Sequence, residues 1–260
     1  MRLETECAIR AARIAQEMAD SRRGSDRVSS KGGIDLVTDT DVACEDAIRA
    51  ELLRSFPSYA VIGEERGGAP QDGHPYWLVD PICGTRNFAS SIPLYCTNIA
   101  LVEQGEVRLG VVGFGITKEI VYAEHNSGAR LLNGQTEVGT RAGDSTHTIW
   151  LDGKTEQGAE AVKRALISRR WYVVQFPSGL AYAYAACGRL DAALQFSGSA
   201  PGKPPSRAYG SVHSAAGCFI AREAGAIVRD INDGTDWKLS TSAFVIAGSE
   251  RLYEELLSLF

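Results

Sequence analysis

Two features of the sequence predict a layered α/β protein. Short apolar runs, bounded by glycine-rich or charged turns, recur along the chain and are typical of strands. Between and around them, longer segments carry apolar residues at helical spacing. Because amphipathic helices and strands bury their apolar faces against one another, this mixture favours helices that cover sheets.

The first half of the chain predicts two helices followed by a sheet. Residues 4–21 form an amphipathic pattern that predicts an opening helix, and the polar stretch 21–33 is expected to be a mobile loop. A second helix is predicted over residues 41–53, with Asp39 or Thr40 as its cap. Strands of one sheet are predicted over residues 60–62, 77–79, 98–102, 109–114 and 120–123.

The second half alternates strands and helices. Strands are predicted over residues 147–151, 171–175, 191–195, 226–228 and 243–246, and helices over 160–167, 179–187, 211–223 and 250–259. Residues 197–208 hold three of the nine prolines, so they cannot form a regular helix or a central strand. We expect one compact unit with two halves, residues 1–140 and 141–260.

Composition narrows the classes of partner. The formal net charge is -5, which disfavours attraction to nucleic acid or to anionic membranes. The charged N-terminus lacks the apolar region of a signal peptide, and no run reaches the roughly 18 apolar residues of a membrane span. Six cysteines without CxxC spacing argue against a disulfide framework or a zinc ribbon. These features favour a cytoplasmic protein.

Three acidic segments carry the candidate chemistry. They are residues 35–41 (DLVTDTD), 63–65 (GEE) and 80–88 (DPICGTRNF). Carboxylates gathered from separate segments are what a hard cation such as Mg²⁺ requires. Acidic turns are also common on solvated surfaces, so spacing alone leaves both interpretations open.

The order of the motifs resembles the inositol monophosphatase family. DLVTxTD, GEE and WxxDPxxGTxNF are followed by Asn-Gly at 133–134, GRLDA at 188–192, AAG at 215–217 and EAG at 223–225. The resemblance covers almost the whole chain. It implies an αβαβα sandwich of the inositol monophosphatase and sugar phosphatase type, Mg²⁺-dependent hydrolysis of phosphate monoesters, and a homodimer.

The same resemblance assigns roles to five positions. Glu64, Asp80 and the backbone carbonyl of Ile82 match the ligands of the family's first metal. Thr85 and Asp41 match the pair that helps to activate the attacking water. A first metal site is therefore expected to be complete.

Substrate contacts are expected just after the metal ligands. The helix that begins after Gly84 should offer backbone N–H groups to a phosphate, with Thr85 in its first turn. Arg86 faces the substrate anion or forms an exposed salt bridge. Glu65 and Asp39 are expected to be solvated or to support the ligands.

Two positions depart from the family pattern. In this chain Cys83 occupies the position of the second Asp in the family pattern DPIDGT. Likewise, Val212-His213 occupies the position of the family's Trp-Asp pair before AAG. Both lost carboxylates belong to the family's second metal, for which only Asp80 remains. Since Mg²⁺ binds sulfur and imidazole poorly, we expect one weakly held Mg²⁺ or none.

Three interpretations follow for Cys83 and His213. The favoured one is a thiolate nucleophile assisted by His213, which acts on a small molecule of specialised metabolism by acyl transfer, ring closure or elimination. A second places a softer ion such as Zn²⁺ on Cys83, His213 and Asp80. The third is a decayed site in a protein that binds a ligand or a partner without turnover. For the whole protein, a Mg²⁺-dependent phosphomonoesterase with one weakened metal site is a further alternative.

Overall fold

The computed structural model describes residues 1–24, 27–32, 35–132, 136–139, 146–196 and 210–260. Within these ranges the elements are, in chain order, α1 (Leu3–Arg22), β1 (Val28–Gly32), β2 (Asp35–Thr38), α2 (Asp39–Ser55), β3 (Ala60–Gly63), β4 (Tyr76–Cys83), α3 (Thr85–Ala89), β5 (Cys96–Glu103), β6 (Glu106–Phe114), β7 (Ile120–Glu124), β8 (Ala129–Leu131), β9 (Thr136–Val138), β10 (Thr148–Leu151), α4 (Glu156–Ser168), β11 (Tyr172–Val174), α5 (Ser178–Ala186), β12 (Ala192–Gln195), α6 (Gly210–Glu223), β13 (Ile227–Asp230), β14 (Phe244–Ala247) and α7 (Glu250–Leu257).

The larger sheet has seven strands in the order β3-β4-β5-β6-β7-β8-β9. Strands β3 and β4 are parallel, and each later pair of neighbours is antiparallel. Strands β4, β5 and β6 are buried along nearly their whole length, because helices cover both faces of this sheet. Double burial explains why these strands read as continuous apolar runs.

The smaller sheet has five strands in the order β11-β10-β12-β14-β13. Strand β10 is parallel to both β11 and β12, whereas β14 is antiparallel to β12 and to β13. Helices α4 and α5 supply the crossovers between the parallel strands.

Three apolar cores separate five layers. Helices α1 and α2 pack on one face of the seven-stranded sheet. Helices α5 and α6 lie between the two sheets, since the core around Leu180 and Phe219 contains strand residues of both. Helices α4 and α7 cover the outer face of the five-stranded sheet. This arrangement confirms the predicted αβαβα layers.

Most predicted elements are confirmed with small changes at their ends. Every predicted helix and strand has a counterpart in the structure, including the helix after Gly84, which is α3, while β1, β2, β8 and β9 were not predicted. In the part of the chain that the structure describes, no helix has the length and apolarity needed to cross a bilayer. The predicted loop at 197–208 and the boundary near residue 140 lie outside the described residues.

Two local predictions about the N-terminal third are wrong. Residues Val28–Gly32 form a strand that pairs antiparallel with Asp35–Thr38, where a mobile loop was expected. Three of its five residues are polar, so the strand lacks the apolar signal by which strands are recognised. The cap of α2 is Thr38, not Asp39 or Thr40: its hydroxyl accepts from the Asp41 N–H, and the Asp41 carboxylate accepts from the Thr38 N–H.

Candidate active site

The candidate site lies at the C-terminal end of β4. Asp80 and Cys83 belong to this strand, and Glu64 directly follows the neighbouring strand β3. Because β3 and β4 run parallel, their C-terminal ends lie side by side, and the Glu64 N–H donates to the Val79 carbonyl at 3.0 Å. The first turn of helix α6 places His213 beside the same strand ends.

Thr85 and Asp41 form a hydrogen-bonded pair beside the end of β4. The Thr85 hydroxyl lies 2.8 Å from Asp41 Oδ1 and 3.2 Å from the Ile82 carbonyl oxygen. The second Asp41 oxygen accepts from the Thr38 N–H at 2.9 Å and from the Thr38 hydroxyl at 2.5 Å. The capping box of α2 therefore fixes the carboxylate that Thr85 faces.

Burial weakens the acidity of the Asp41 carboxyl group. The side chain is fully buried, and this burial raises the pKa of Asp41 to about 6, against the hydrogen bonds from Thr38 and Thr85 that favour its charged form. A carboxylate whose pKa lies near neutrality can accept a proton and release it again at physiological pH.

Asp80 connects the two sides of the site. Its Oδ2 lies 2.7 Å from His213 Nδ1 and accepts from Asn98 Nδ2 at 3.4 Å. Its Oδ1 is buried and has no hydrogen-bond partner among the described residues. Glu64 Oε2 lies 3.9 Å from the same His213 nitrogen. Two carboxylates therefore surround the imidazole.

These carboxylates change the acidity of His213. Burial lowers the pKa of the ring, but the negative charges of Glu64 and Asp80 outweigh that effect and raise the pKa of His213 well above its ordinary range. The ring keeps 37% of its side-chain surface exposed. His213 is therefore the solvent-facing member of the group.

Cys83 lies deeper than His213. Only 5% of the residue is exposed, and it pairs across the strands with Cys96. A hydrogen bond with Cys96, burial and the charge of Asp80 raise the pKa of the Cys83 thiol well above its ordinary range, and the contact with His213 does not reverse this. The protein alone therefore holds this sulfur as a neutral thiol at pH 7.

Two glycines let neighbouring chain segments approach the site closely. Gly84 caps α3 with a φ of 108°, and a Cβ there would lie 2.4 Å from Pro177 Cγ. A Cβ on Gly179 would lie 3.0 Å from Cys83 Sγ and 2.6 Å from Asn98 Nδ2. Helix α5 can pack against the ligands only because these positions lack side chains.

The predicted substrate-binding residues lie together around α3. Gly84 is its N-cap, Thr85 its first residue, and Arg86 is exposed immediately afterwards. Among the proposed supporting residues, Asp39 is exposed in the first turn of α2. The backbone N–H of Glu65 donates at 2.6 Å to a carboxylate that was not among the predicted site residues.

That carboxylate belongs to Glu45, which is fully buried. It accepts from the backbone N–H groups of Glu65 and Arg66 at 2.6 and 3.0 Å, and Arg49 pairs with it at 2.9 Å. Glu45 therefore holds the turn that carries Glu64. The signal was its position one helical turn after Asp41, on the same face of α2.

The residues around Asp80 offer two different donor sets. Glu64, Asp80 and the Ile82 carbonyl supply only oxygen, and the unpartnered Oδ1 of Asp80 is a buried oxygen that a cation would satisfy. This set fits Mg²⁺. Asp80 with Cys83 and His213 mixes oxygen, sulfur and nitrogen, whose atoms lie within 4.8 Å of one another. That set does not fit Mg²⁺.

The fold has five alternating layers, with carboxylates gathered at the C-terminal end of β4 beside a hydrogen-bonded Thr-Asp pair, and these features define a class of layered α/β proteins. The family model of the inositol monophosphatase family matches residues 2–260. The chain belongs to this family, and the resemblance seen in its motifs is confirmed.

Individual relatives match over most of their length. An inositol-1-monophosphatase of Mesorhizobium japonicum is 31% identical over 239 residues, covering 89% of this chain and 85% of that protein. Nus factor SuhB of Escherichia coli is 31% identical over 264 residues, covering 96% and 93%. Among solved structures, the IMPase of Thermotoga maritima superimposes with a TM-score of 0.82 at 26% identity, covering 98% of this chain and 95% of that chain.

Proposed function

We propose that this protein is a metal-dependent phosphomonoesterase that works with one hard-cation site and acts on a small phosphorylated molecule. The observation that carries the proposal is the 2.8 Å hydrogen bond from the Thr85 hydroxyl to Asp41, beside the oxygen donors of Asp80 and Glu64. Water activation and cation binding are two functions that the hydrolysis of a phosphate monoester needs, and the chain carries candidate residues for both.

Thr85 and Asp41 would move the proton of the attacking water. The Thr85 oxygen accepts a proton from the water while its own hydroxyl proton passes to Asp41 Oδ1. The water oxygen forms a bond to phosphorus as the bond from phosphorus to the ester oxygen breaks. The leaving ester oxygen takes a proton from solvent, and Asp41 returns the proton that it accepted to solvent. A pKa of about 6 suits Asp41 to this task, since it is ionised at pH 7 and close to its point of protonation.

Glu64, Asp80 and the Ile82 carbonyl would hold Mg²⁺, which when bound polarises the phosphate and acidifies the attacking water. Asp80 is fully buried, and the Glu45 carboxylate fixes the turn that carries Glu64, so both donors are held before a cation arrives. We propose that Gly84, Thr85 and the exposed Arg86 contact the substrate phosphate.

The second ligand set predicts slow hydrolysis. Cys83 and His213 replace the two carboxylates that the family resemblance assigns to the cation beside the leaving oxygen. A neutral, buried thiol cannot supply an equivalent anionic oxygen. Stabilisation of the leaving oxygen is therefore expected to be weaker than in a member with both carboxylates.

The experiment is phosphate release from inositol 1-phosphate and from a generic phosphomonoester, with and without Mg²⁺. Mg²⁺-dependent release that disappears in Asp41→Asn supports the proposal. The exposed Asp46, which pairs with Arg66, provides the matched control Asp46→Asn, which should keep wild-type activity. No release at any Mg²⁺ concentration would reject the proposal.

A second candidate is the non-phosphatase chemistry that the sequence analysis favours, with Cys83 as nucleophile. Its support is the closeness of Cys83, His213 and Asp80, since a base oriented by a carboxylate is what a thiol nucleophile needs. The raised pKa of Cys83 and its burial weigh against it, because the thiolate is the reactive form. Selective alkylation of Cys83 near pH 7, together with substrate turnover that Cys83→Ala abolishes, would favour this candidate instead.

A homodimer and a purely binding role remain predictions. One of the relatives carries the name Nus factor, so a partner-binding role is the natural third candidate. It would be favoured by protein that binds no Mg²⁺ and releases no phosphate. Light scattering of the purified protein measures the oligomeric state directly.

A further inference from the structure

The donor set that does not fit Mg²⁺, namely Asp80, Cys83 and His213, is arranged like a binding site for a different cation. One atom each from Asp80, Cys83 and His213 lies within 4.8 Å of the other two, and no other group of three such residues is found in the described ranges. We propose that Asp80, Cys83 and His213 bind a soft divalent cation of the Zn²⁺ class. The inference does not depend on the proposed phosphatase activity.

Donor chemistry selects the ion. Zn²⁺ accepts thiolate, imidazole and carboxylate ligands together, and its catalytic sites commonly have three protein ligands and one open position. Mg²⁺ demands oxygen at near-octahedral angles and has no preference for sulfur or imidazole. A set with one oxygen, one sulfur and one nitrogen therefore favours the softer ion.

The three donors are held in place by different elements. Asp80 and Cys83 stand on β4 on either side of an irregularity in its pairing with β5, and His213 stands on α6. Gly179 of α5 packs against Cys83, and Asn98 donates to Asp80 at 3.4 Å. A set of ligands fixed in this way loses little freedom when it binds a cation.

One side of the group remains open to a fourth ligand. Asp80 is fully buried and Cys83 nearly so, whereas His213 keeps 37% of its side-chain surface exposed. The Oδ1 atom of Asp80 is buried without a hydrogen-bond partner among the described residues. A buried carboxylate oxygen of this kind is costly unless a cation or a donor satisfies it.

Cobalt provides the probe. Co²⁺ occupies zinc sites, and a cysteine ligand produces a sulfur-to-cobalt charge-transfer band in the near ultraviolet. We expect this band when Co²⁺ is added to the full chain under reducing conditions, and we expect Zn²⁺, but not a large excess of Mg²⁺, to abolish it. Absence of the band, or its loss to Mg²⁺, would overturn the proposal.

Variants locate the ion. Cys83→Ala should lose the band, and His213→Ala should keep its fold and bind Co²⁺ at least about 10-fold more weakly, since loss of a direct ligand should cost no less than the roughly 10–100-fold that loss of a supporting partner costs. The control is Cys187→Ala, because Cys187 is a partly exposed thiol whose charged neighbours are Arg189 and Glu119. An unchanged band in both Cys83→Ala and His213→Ala, or its loss in Cys187→Ala, would place the ion elsewhere and reject the proposal.

Discussion

Two halves of one site meet at Asp80 and differ in their chemistry. On the side of Glu64, the donors are oxygen atoms, and Thr85 and Asp41 lie beside them in a fixed hydrogen-bonded pair. On the other side, Cys83 and His213 stand where the family resemblance expects carboxylates. In the proposed function the first half supplies water activation, and the second half presents a mixed donor set of oxygen, sulfur and nitrogen.

The difference lies in side chains, while the elements that carry them belong to the family fold. Strand β4 still pairs with β5, and helix α6 still packs between the sheets. Two side chains then change the charge of one half of the site. Both halves share Asp80, so a change at this residue should affect both, whereas a change at Asp41 should affect only one.

The largest effect is therefore expected from Asp80→Asn. The amide removes a negative charge common to both donor sets, so Mg²⁺-dependent phosphate release should fall by roughly 10³-fold or more, and the cobalt band should weaken in the same variant. Steady-state kinetics and a Co²⁺ titration measure the two losses. If one function survived unchanged, Asp80 would not be shared.

Thr85→Ala should impair only the half of the site on the side of Glu64, which we call the oxygen half. Without the hydroxyl the water loses its path to Asp41, and kcat should fall by about 10²–10⁴-fold, the usual contribution of a positioned proton acceptor. Thr85→Ser retains the hydroxyl and should restore most of the rate. The cobalt band should be unchanged in both variants, and its loss in Thr85→Ala would show that the halves are not separable.

Asp41 should also make stability depend on pH. The ordinary pKa of 3.8 is raised to about 6 in the fold, so the folded protein binds a proton that the unfolded chain releases between these values. This raised pKa contributes about 3 kcal/mol to the free energy of unfolding. The contribution is fully present below about pH 4 and is lost as the pH rises through 6. Urea unfolding with a chelator present measures it.

The matched variant isolates that contribution. The amide side chain introduced by Asp41→Asn cannot ionise. The free energy of unfolding of the wild type, measured relative to that of the variant, should therefore fall between pH 4 and pH 7. A difference that is constant over this range would mean that Asp41 titrates normally despite its burial.

The smallest effect is expected from Glu45→Gln. The turn that carries Glu64 loses a charged acceptor for the N–H groups of Glu65 and Arg66, at a cost of about 1–3 kcal/mol. Half-saturation by Mg²⁺ should rise several-fold. Asp46→Asn on the same helix, which forms an exposed pair with Arg66, should cost less than about 1 kcal/mol. Equal effects would contradict the role of Glu45.

Much of the fold and part of the site could be predicted from the sequence. The strands around Trp77 and Val112 are buried on both faces, and continuous apolar runs reveal such strands directly. The family resemblance predicted that Cys83 and His213 would be neighbours, which their spacing alone could not have shown, since 130 residues separate them in the chain. Strand β1 escaped prediction because three of its five residues, Ser29, Ser30 and Lys31, are polar.

The acidity of the groups could not be read from the sequence. Asp41 and Glu45 look like ordinary helix-surface carboxylates, yet both are fully buried because α2 turns this face towards the strand ends. The neutral state of Cys83 depends on Cys96 across the strand and on Asp80. Such effects arise from contacts between distant segments, which neither periodicity nor local motifs encode.

The central claim is that the oxygen half works without a second hard cation. Its most direct test is the Mg²⁺ dependence of phosphate release by the wild type and by the double variant Cys83→Asp/His213→Asp. We expect the wild type to saturate as a single Mg²⁺ site, and the double variant to release phosphate at least about tenfold faster with cooperative Mg²⁺ dependence. A wild type that releases no phosphate while the double variant does would contradict the claim, because both carboxylates would then be essential.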